Sequence, residues 1–379
     1  MCCVEKNNLG RVLLAGAFAL VFALPSAAAE DEHAGHDMSA SMDHSGHDMS
    51  GHSTERDEMG RRLHGMKHEM SPEVMDQLRQ NIRGWENVSD QEIALSMQMM
   101  GSNYEWYISS DDVNGDTGVL IMLHGFRDRG DKIFKDQLQS YAEVFPTALS
   151  MGMSMGMSQH IQLGLDDLVA AGAQRIVVIP IVSTEYNTMI RQWQYIFGLA
   201  DEPSYAAVPR VKTEAEVIFA DPPGGDPLVA EILLDHALEL SENPSDEVVI
   251  IAAHGPSGDG DNAMQLELMD KLAKIVQQDG EFAAVMPATL QDDAPPEVRA
   301  GNVKKLRAMV ESATADGKSV IVVTSLIGAR TIQKKLRKDL DGLEYTFNPK
   351  GLVQHDLFVE WIGETIRTEM LGSTRSASD

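Results

Sequence analysis

The segment Gly118-Val-Leu-Ile-Met-Leu-His124-Gly125 is an unbroken apolar run that ends in a His-Gly pair, and Val248-Val-Ile-Ile-Ala-Ala-His254-Gly255 repeats the pattern. Continuous Val, Ile and Leu without polar alternation is typical of a strand that is buried on both faces, as in a parallel sheet. The distance between the two runs is about the size of one domain. The sequence therefore predicts two copies of one parallel-sheet unit.

The segments that follow the two runs also correspond. Each copy continues with a helix (133–145 and 263–278), a second apolar strand (175–180 and 319–324), and a Pro/Gly turn before an apolar helix (from 222 and from 349). Strands that alternate with helices predict an α/β fold with two tandem domains, each a parallel sheet flanked by helices on both faces.

The composition changes along the chain and divides it into six parts. We predict a signal peptide at 1–29, a disordered His/Met-rich tail at 30–70, a helical lead-in at 71–117, domains at 118–245 and 246–370, and a flexible C-terminal tail at 371–379. In the lead-in, Ser71-Pro72-Glu73 is a helix start, and a second helical stretch runs over about 89–107.

The first 29 residues have the features of a secretory signal peptide. A basic start precedes the apolar run 12–24, and Ala27-Ala28-Ala29 follow it. The run is shorter than the ~20 residues that span a bilayer, so we expect cleavage after Ala29, a periplasmic or secreted product and no stable membrane insertion. Cys2 and Cys3 would leave with this segment, and the remainder would have neither disulfides nor thiolate ligands.

The charge of the chain excludes one large class of partners. Its 379 residues contain 31 Lys and Arg against 58 Asp and Glu, for a formal net charge of −27. Affinity for nucleic acid comes from Lys and Arg that displace counterions from phosphates. We therefore expect no nucleic-acid partner.

The predicted tail contains a histidine repeat. His33-Ala-Gly-His36-Asp-Met is followed eleven residues later by His44-Ser-Gly-His47-Asp-Met and then by His52. Imidazole, carboxylate and thioether groups in one flexible stretch suit late first-row divalent ions, including copper. Two interpretations stay open, a metal-binding tail and a solvated linker, and we favour the first.

A second unusual segment alternates methionine with glycine and serine. It contains Met153, Met155 and Met157 and is followed by His160. Glycine makes this composition poor strand or helix material, and thioethers with an imidazole suit a soft metal or haem. A loop that binds a cofactor and a flexible apolar loop over a cleft are equally open interpretations.

His124 and His254 stand at matching strand ends. In open parallel sheets, ligands sit outside the carboxyl ends of the strands. Two histidines at equivalent ends indicate a functional site more strongly than one histidine does. We take both as candidate metal ligands.

The order of these motifs resembles the sirohydrochlorin cobaltochelatase family, the class II tetrapyrrole chelatases of two-domain type. The resemblance covers roughly 118–370 and rests on Leu123-His124-Gly125 and on the strand Ala171-Gly-Ala-Gln-Arg-Ile-Val-Val-Ile-Pro180. It implies a divalent metal substrate (Co²⁺, Fe²⁺ or Ni²⁺) and a sirohydrochlorin-type tetrapyrrole partner. His124 would then be both a metal ligand and the acceptor of a pyrrole proton.

The chain departs from the family pattern at its second histidine. The family carries this residue after the strand that here ends in Pro180, where the chain instead reads Ile-Val-Ser-Thr-Glu185. The loop after 319–324 also lacks a histidine. Glu185 is the candidate replacement as a carboxylate ligand or proton acceptor. An alternative function follows, a non-catalytic periplasmic carrier of metal or haem on the chelatase fold.

Overall fold

The computed structural model describes residues 52–56, 62–64, 70–82, 85–100, 105–152, 158–328 and 331–376. All of them belong to one compact unit, Met49–Asp379. The predicted signal peptide and tail histidines His33, His36, His44 and His47 lie outside the described residues. Among the helices that the structure describes, none combines the length and the apolar character needed to cross a bilayer.

The helices and strands follow one another in an alternating order. They are β1 (His52–Arg56), β2 (Arg62–His64), α1 (Pro72–Asn81), α2 (Asp90–Met100), β3 (Glu105–Tyr107), β4 (Thr117–Leu123), α3 (Arg127–Gln137), α4 (Gln139–Ala142), β5 (Thr147–Met151), α5 (Gln159–Ala170), β6 (Arg175–Ile181), α6 (Thr188–Ile196), β7 (Glu216–Phe219), α7 (Pro227–Leu238), β8 (Glu247–Ala253), α8 (Asp259–Gly280), β9 (Ala284–Thr289), α9 (Pro296–Ala315), β10 (Ser319–Thr324), α10 (Thr331–Asp339), β11 (Thr346–Phe347) and α11 (Asp356–Ser376).

Two larger sheets form the body of the protein. The first has the strand order β3-β5-β4-β6-β7 and the second has β11-β10-β8-β9. Every pairing in them is parallel except that of β3 with β5. The order β5-β4-β6-β7 recurs as β9-β8-β10-β11, with the His-Gly strands β4 and β8 in the interior of their sheets. The predicted α/β fold is confirmed.

Two details of the N-terminal region differ from the sequence prediction. The predicted second helix does not reach residue 107, because Glu105–Tyr107 form β3, which pairs antiparallel with β5. Trp106 and Tyr107 are buried there, and aromatic side chains suit a sheet edge that packs against helices. The end of the predicted disordered tail contains β1 and β2, a short antiparallel pair.

The sheets are buried on both faces, as their apolar runs require. Val119 and Ile121 of β4 share one core with Val249 and Ile251 of β8, together with α7, α8 and α11. On the outer side of the first sheet, Leu120 packs with α1, α5 and α6. The outer side of the second sheet packs with α9 and α10. One apolar layer therefore joins the two halves.

This shared layer contains helices that cross from one half to the other. Helix α7 follows the first sheet but packs on α8 and β10 of the second half, and α11 follows the second sheet but packs on β6 of the first. Asn348, which follows β11, donates from its side chain to the backbone carbonyl of His236 in α7. Lys350 forms an ion pair with Glu239 at the end of α7. The predicted boundary between 245 and 246 lies in an exposed turn, and the packed layer connects the parts of the chain on either side of it.

Gly363 of α11 provides a test of this crossing. A β-carbon at this position would collide with the hydroxyl and ring of Tyr141 in α4, whose hydroxyl donates to the backbone carbonyl of Val359. We expect Gly363→Ala to lower the free energy of unfolding by about 1–3 kcal/mol through overpacking. Chemical denaturation measures the change.

Two further variants test whether the loss of stability comes from the contact between Gly363 and Tyr141. In a Tyr141→Ala chain the collision is absent, so Gly363→Ala is expected to stabilise by about 1 kcal/mol through helix propensity. Gly301→Ala in α9 meets open space and should likewise stabilise. An equal loss at Gly363 in both Tyr141 backgrounds would contradict the packing of α11 on α4.

Candidate metal-binding cleft

Each central strand ends in a histidine followed by a left-handed glycine. Gly125 has φ +92° and Gly255 has φ +77°, a region that side chains rarely adopt. Space is also limiting, because a β-carbon at Gly125 would lie 3.3 Å from a carboxylate oxygen of Asp131, and one at Gly255 would lie 2.9 Å from Oδ1 of Asn262. The His-Gly pair therefore turns the chain sharply and leaves each histidine at the carboxyl edge of its sheet.

His254 presents one nitrogen for a ligand. Its Nδ1 lies 2.9 Å from the backbone carbonyl oxygen of Gly255. Since a carbonyl only accepts, Nδ1 carries the proton in this contact and Nε2 keeps its lone pair. Nε2 lies 3.5 Å from Oδ2 of Asp293, a side chain that is 73% exposed. Two ligand atoms that each bind one tetrahedral metal ion at about 2.1 Å are separated from each other by a distance similar to that between Nε2 and Oδ2 here.

Asp292 completes a group of three with His254 and Asp293, whose donor atoms all lie within 4.8 Å of one another. Its carboxylate, however, is already held, by Nε of Arg299 at 2.7 Å and by the ammonium of Lys335. Burial alone would raise the pKa of Asp292, but the hydrogen bonds from these two cations hold it below its ordinary value. Asp292 is therefore an anchored anion, and Asp293 is the carboxylate free to move onto an ion.

His124, in the first half, is influenced by the charge of the same carboxylate. Its side chain reaches solvent, yet the surrounding protein lowers its pKa, and the charge of Asp293 partly offsets this effect. Tyr205 also lies near this charge: burial, followed by Asp293, raises its pKa to about 12. The charge of Asp293 thus acts on both predicted histidines: Asp293 contacts His254 directly and influences His124 from farther away.

Glu185, the candidate replacement for the missing histidine, lies in another part of the cleft. It accepts a hydrogen bond from the hydroxyl of Thr184, and its charge raises the pKa of the neighbouring Tyr186. Its carboxylate also lies against Gly224. None of the described contacts of Glu185 joins it to His124, and its catalytic role stays a prediction.

The methionine loop lies only partly within the described residues. Met153, Met155 and Met157 fall outside them. The loop starts beside the first histidine, since the amide of Gly152 donates to the backbone carbonyl of His124. His160 lies in the first turn of α5 and has no exposed surface. His52 lies in β1, where its backbone pairs with that of His64.

Sequence reasoning missed the acidic pair, because it missed β9. That strand reads Ala-Val-Met-Pro-Ala-Thr, which lacks the continuous Val/Ile run of the central strands. In the second half, the backbone amide of Asp292 donates to the backbone carbonyl of His254. In the first half, the amide of Gly152 makes the equivalent hydrogen bond to His124. The signal available in the sequence was the position of Asp292-Asp293, between the two strands already identified in that copy.

Two parallel sheets with histidines at their carboxyl ends define a fold of the chelatase type. A sirohydrochlorin cobaltochelatase from Saccharolobus islandicus is 27% identical over 123 residues, 32% of this chain and 94% of that protein. The one from Saccharolobus solfataricus is 25% identical over 122 residues, with the same two shares. Among solved structures, SirB from Bacillus subtilis with Fe³⁺ matches 69% of this chain and 98% of its own with 17% identity and a TM-score of 0.52. No family model matches. At low identity, the matches confirm the resemblance to the chelatase family.

The shared position of the histidines leads to a titration experiment. Because the surrounding protein lowers the pKa of His124 and the charge of Asp293 raises it, we expect this pKa to lie below 6.5 in the native chain. In Asp293→Asn it should be lower still. In that variant the imidazolium of His124 loses the stabilising charge of Asp293, so the neutral imidazole becomes relatively more stable. NMR titration of the imidazole signals measures both values. Asp316→Asn, at the far end of α9, should leave the pKa unchanged, and an unchanged value in Asp293→Asn would place Asp293 away from His124.

Proposed function

We propose that this protein binds a divalent metal ion through Nε2 of His254 and the carboxylate of Asp293 and inserts it into a tetrapyrrole held in the cleft. The observation that carries the proposal is the 3.5 Å separation between these two atoms, with Nδ1 of His254 fixed by a backbone carbonyl. A carbonyl partner of this kind orients a metal-binding histidine and sets its tautomer. The chelatase relatives support the same conclusion.

His124 supplies the second half of the chemistry. Metal insertion removes two protons from the pyrrole nitrogens, and a neutral imidazole accepts a proton where an imidazolium cannot. The protein around His124 lowers its pKa from 6.5, so the imidazole is neutral at pH 7. The charge of Asp293, which raises the pKa of His124, favours the imidazolium that forms after proton transfer.

The donor set also limits the metal. One imidazole nitrogen with a carboxylate oxygen suits intermediate divalent ions such as Co²⁺, Fe²⁺ and Ni²⁺ rather than ions that demand only oxygen ligands. Asp293 is largely exposed, so the ion can enter from solvent and leave toward a macrocycle. Weak, open coordination of this kind suits an ion that is a substrate rather than a structural component.

A carrier that binds the metal without inserting it is the second candidate. The loop after β6 offers Glu185 and no histidine, and the loop after β10 begins Ser325-Leu-Ile-Gly, also without a histidine. The same cleft would then hold metal or haem without promoting proton transfer. The tail histidines would contribute to such a carrier.

Two experiments on the chain that starts at residue 30 measure Co²⁺ binding and the insertion of Co²⁺ into sirohydrochlorin. With Co²⁺ in calorimetry, we expect His254→Ala and Asp293→Asn to weaken the site in the cleft by roughly tenfold to a hundredfold or more. His124→Ala should bind Co²⁺ nearly as well but insert it into sirohydrochlorin about a hundredfold more slowly, as read from absorbance. Asp316→Asn is the matched carboxylate control and should retain both activities.

A chain that lacks residues 30–70 distinguishes the two candidates. A chelatase retains cleft binding and insertion after this deletion, whereas a tail-based carrier loses most of its bound metal. Binding in the cleft without any insertion by the native chain favours the carrier. If His254→Ala and Asp293→Asn bind Co²⁺ as the native chain does, the metal site is elsewhere and the proposal fails.

We further propose that the chain is exported, on the basis of its basic start, short apolar run and Ala27-Ala28-Ala29. Expression of the full chain in a Gram-negative host should give a periplasmic product whose mass corresponds to a start at Glu30. A cytoplasmic product that retains residues 1–29 would rule out export in that host.

A further inference from the structure

A cavity of about 560 Å³ lies beside strand β9, between helices α8 and α9. Leu266, Pro287 and Leu306 give it apolar walls from all three elements, and Asn262 and Gln291 add polar groups. Its volume lies in the range of small-molecule binding sites. Neither His124, His254 nor Asp293 lines it, so it is separate from the metal-binding cleft.

The cavity wall contains a buried acceptor without a donor. Asn262 is 8% exposed, and its Oδ1 has no hydrogen-bond partner in the described part of the chain. In the first half, Asp131 holds the matching place and accepts the backbone N–H of Phe126, the residue after the His-Gly pair. The second half has Pro256 there, which has no N–H to give. This oxygen faces the turn at Gly255, where a β-carbon would lie 2.9 Å from it, so it lies behind the cavity wall.

The sheet edge at the cavity is also incomplete by comparison with the first half. There, β5 is covered by the antiparallel strand β3, whereas the described chain places no strand beyond β9. Leu290 donates its backbone N–H to Ala253 of β8. Since backbone groups alternate along a strand, Thr289 and Pro287 direct theirs away from β8. Pro287 has only a carbonyl to offer, so the edge suits a short extended backbone rather than a long strand.

Helix α9 places opposite charges at the two ends of the cavity. Glu297, Gly301 and Lys305 all line it and are spaced one turn apart. The spacing puts the carboxylate and the ammonium about 12 Å apart at their α-carbons, with open space at Gly301 between them. The structure shows no ion pair between Glu297 and Lys305. A ligand with a cation at one end and an anion at the other matches this arrangement.

We infer that the cavity binds a short peptide of two or three residues with free termini and an apolar side chain. The peptide extends antiparallel to β9, as β3 does to β5, which puts its ammonium near Glu297 and its carboxylate near Lys305. Its backbone bonds to the free edge of β9, and its side chains pack on Leu266 and Leu306. The inference does not depend on the proposed metal chemistry.

The dipeptide Leu-Leu is the probe, added to the metal-free chain from residue 30 in calorimetry with a chelator present. We expect a dissociation constant on the order of 1 mM or below, the range open to a ligand of this size. Gly301→Leu fills the cavity and should weaken binding at least tenfold. Gly260→Leu is the matched control, because a β-carbon at Gly260 in α8 also meets nothing nearby and Gly260 does not line the cavity.

Two further measurements separate a charged peptide site from a general apolar one. Glu297→Gln removes the protein carboxylate that pairs with the peptide ammonium, and the capped peptide N-acetyl-Leu-Leu-amide lacks both end charges. Each change should lower the affinity at least about threefold. His254→Ala should bind Leu-Leu as the native chain does, so a failure of the metal site leaves this result unchanged. No binding at roughly 10 mM, native affinity in Gly301→Leu, or equal binding of the capped peptide would overturn the inference.

Discussion

The apolar layer between the two sheets is the constraint on which the rest of the structure depends. Helices α7 and α11 each pack against the sheet of the other half, so neither sheet can bury its inner face alone. This layer fixes the relative position of the two carboxyl edges. The charge of Asp293 consequently acts both on His254, which it contacts, and on His124 of the other sheet.

The two neighbouring carboxylates of the site, Asp292 and Asp293, are in different environments, in a chain of net charge −27. Asp292 is buried and held by Arg299 and Lys335, which removes it as a free ligand and makes it a rigid support for its neighbour. Asp293 is exposed, contacts His254, and acts on His124 through its charge. The ion pairs of Asp292 fix the position of this segment without leaving an unpaired charge buried, and Asp293 beside it stays exposed. The metal would meet one mobile oxygen ligand and one oriented nitrogen.

The two halves share a topology but differ in what they hold at equivalent places. Where the second half has Asp292-Asp293 after β9, the first half has the loop that begins at Gly152 and continues into methionines. The residue after the His-Gly pair is Phe126 in one half and Pro256 in the other, and this difference leaves Asn262 without its donor. A duplicated fold has thus produced two unlike edges, one covered by β3 and one beside an open cavity.

The sequence by itself determined the α/β class, the four Val/Ile-rich strands and the positions of His124 and His254 at strand ends, because burial on both faces imposes a composition that can be read directly. The edge strands β7, β9 and β11 do not follow from the sequence, since a short edge strand needs no such run, and neither does β5, which is only five residues long. Only the tertiary structure decided that Asp293 contacts His254 and that its charge also acts on His124. Those relations depend on how two sheets pack through shared helices, and contacts between residues more than a hundred positions apart leave no local pattern in the chain.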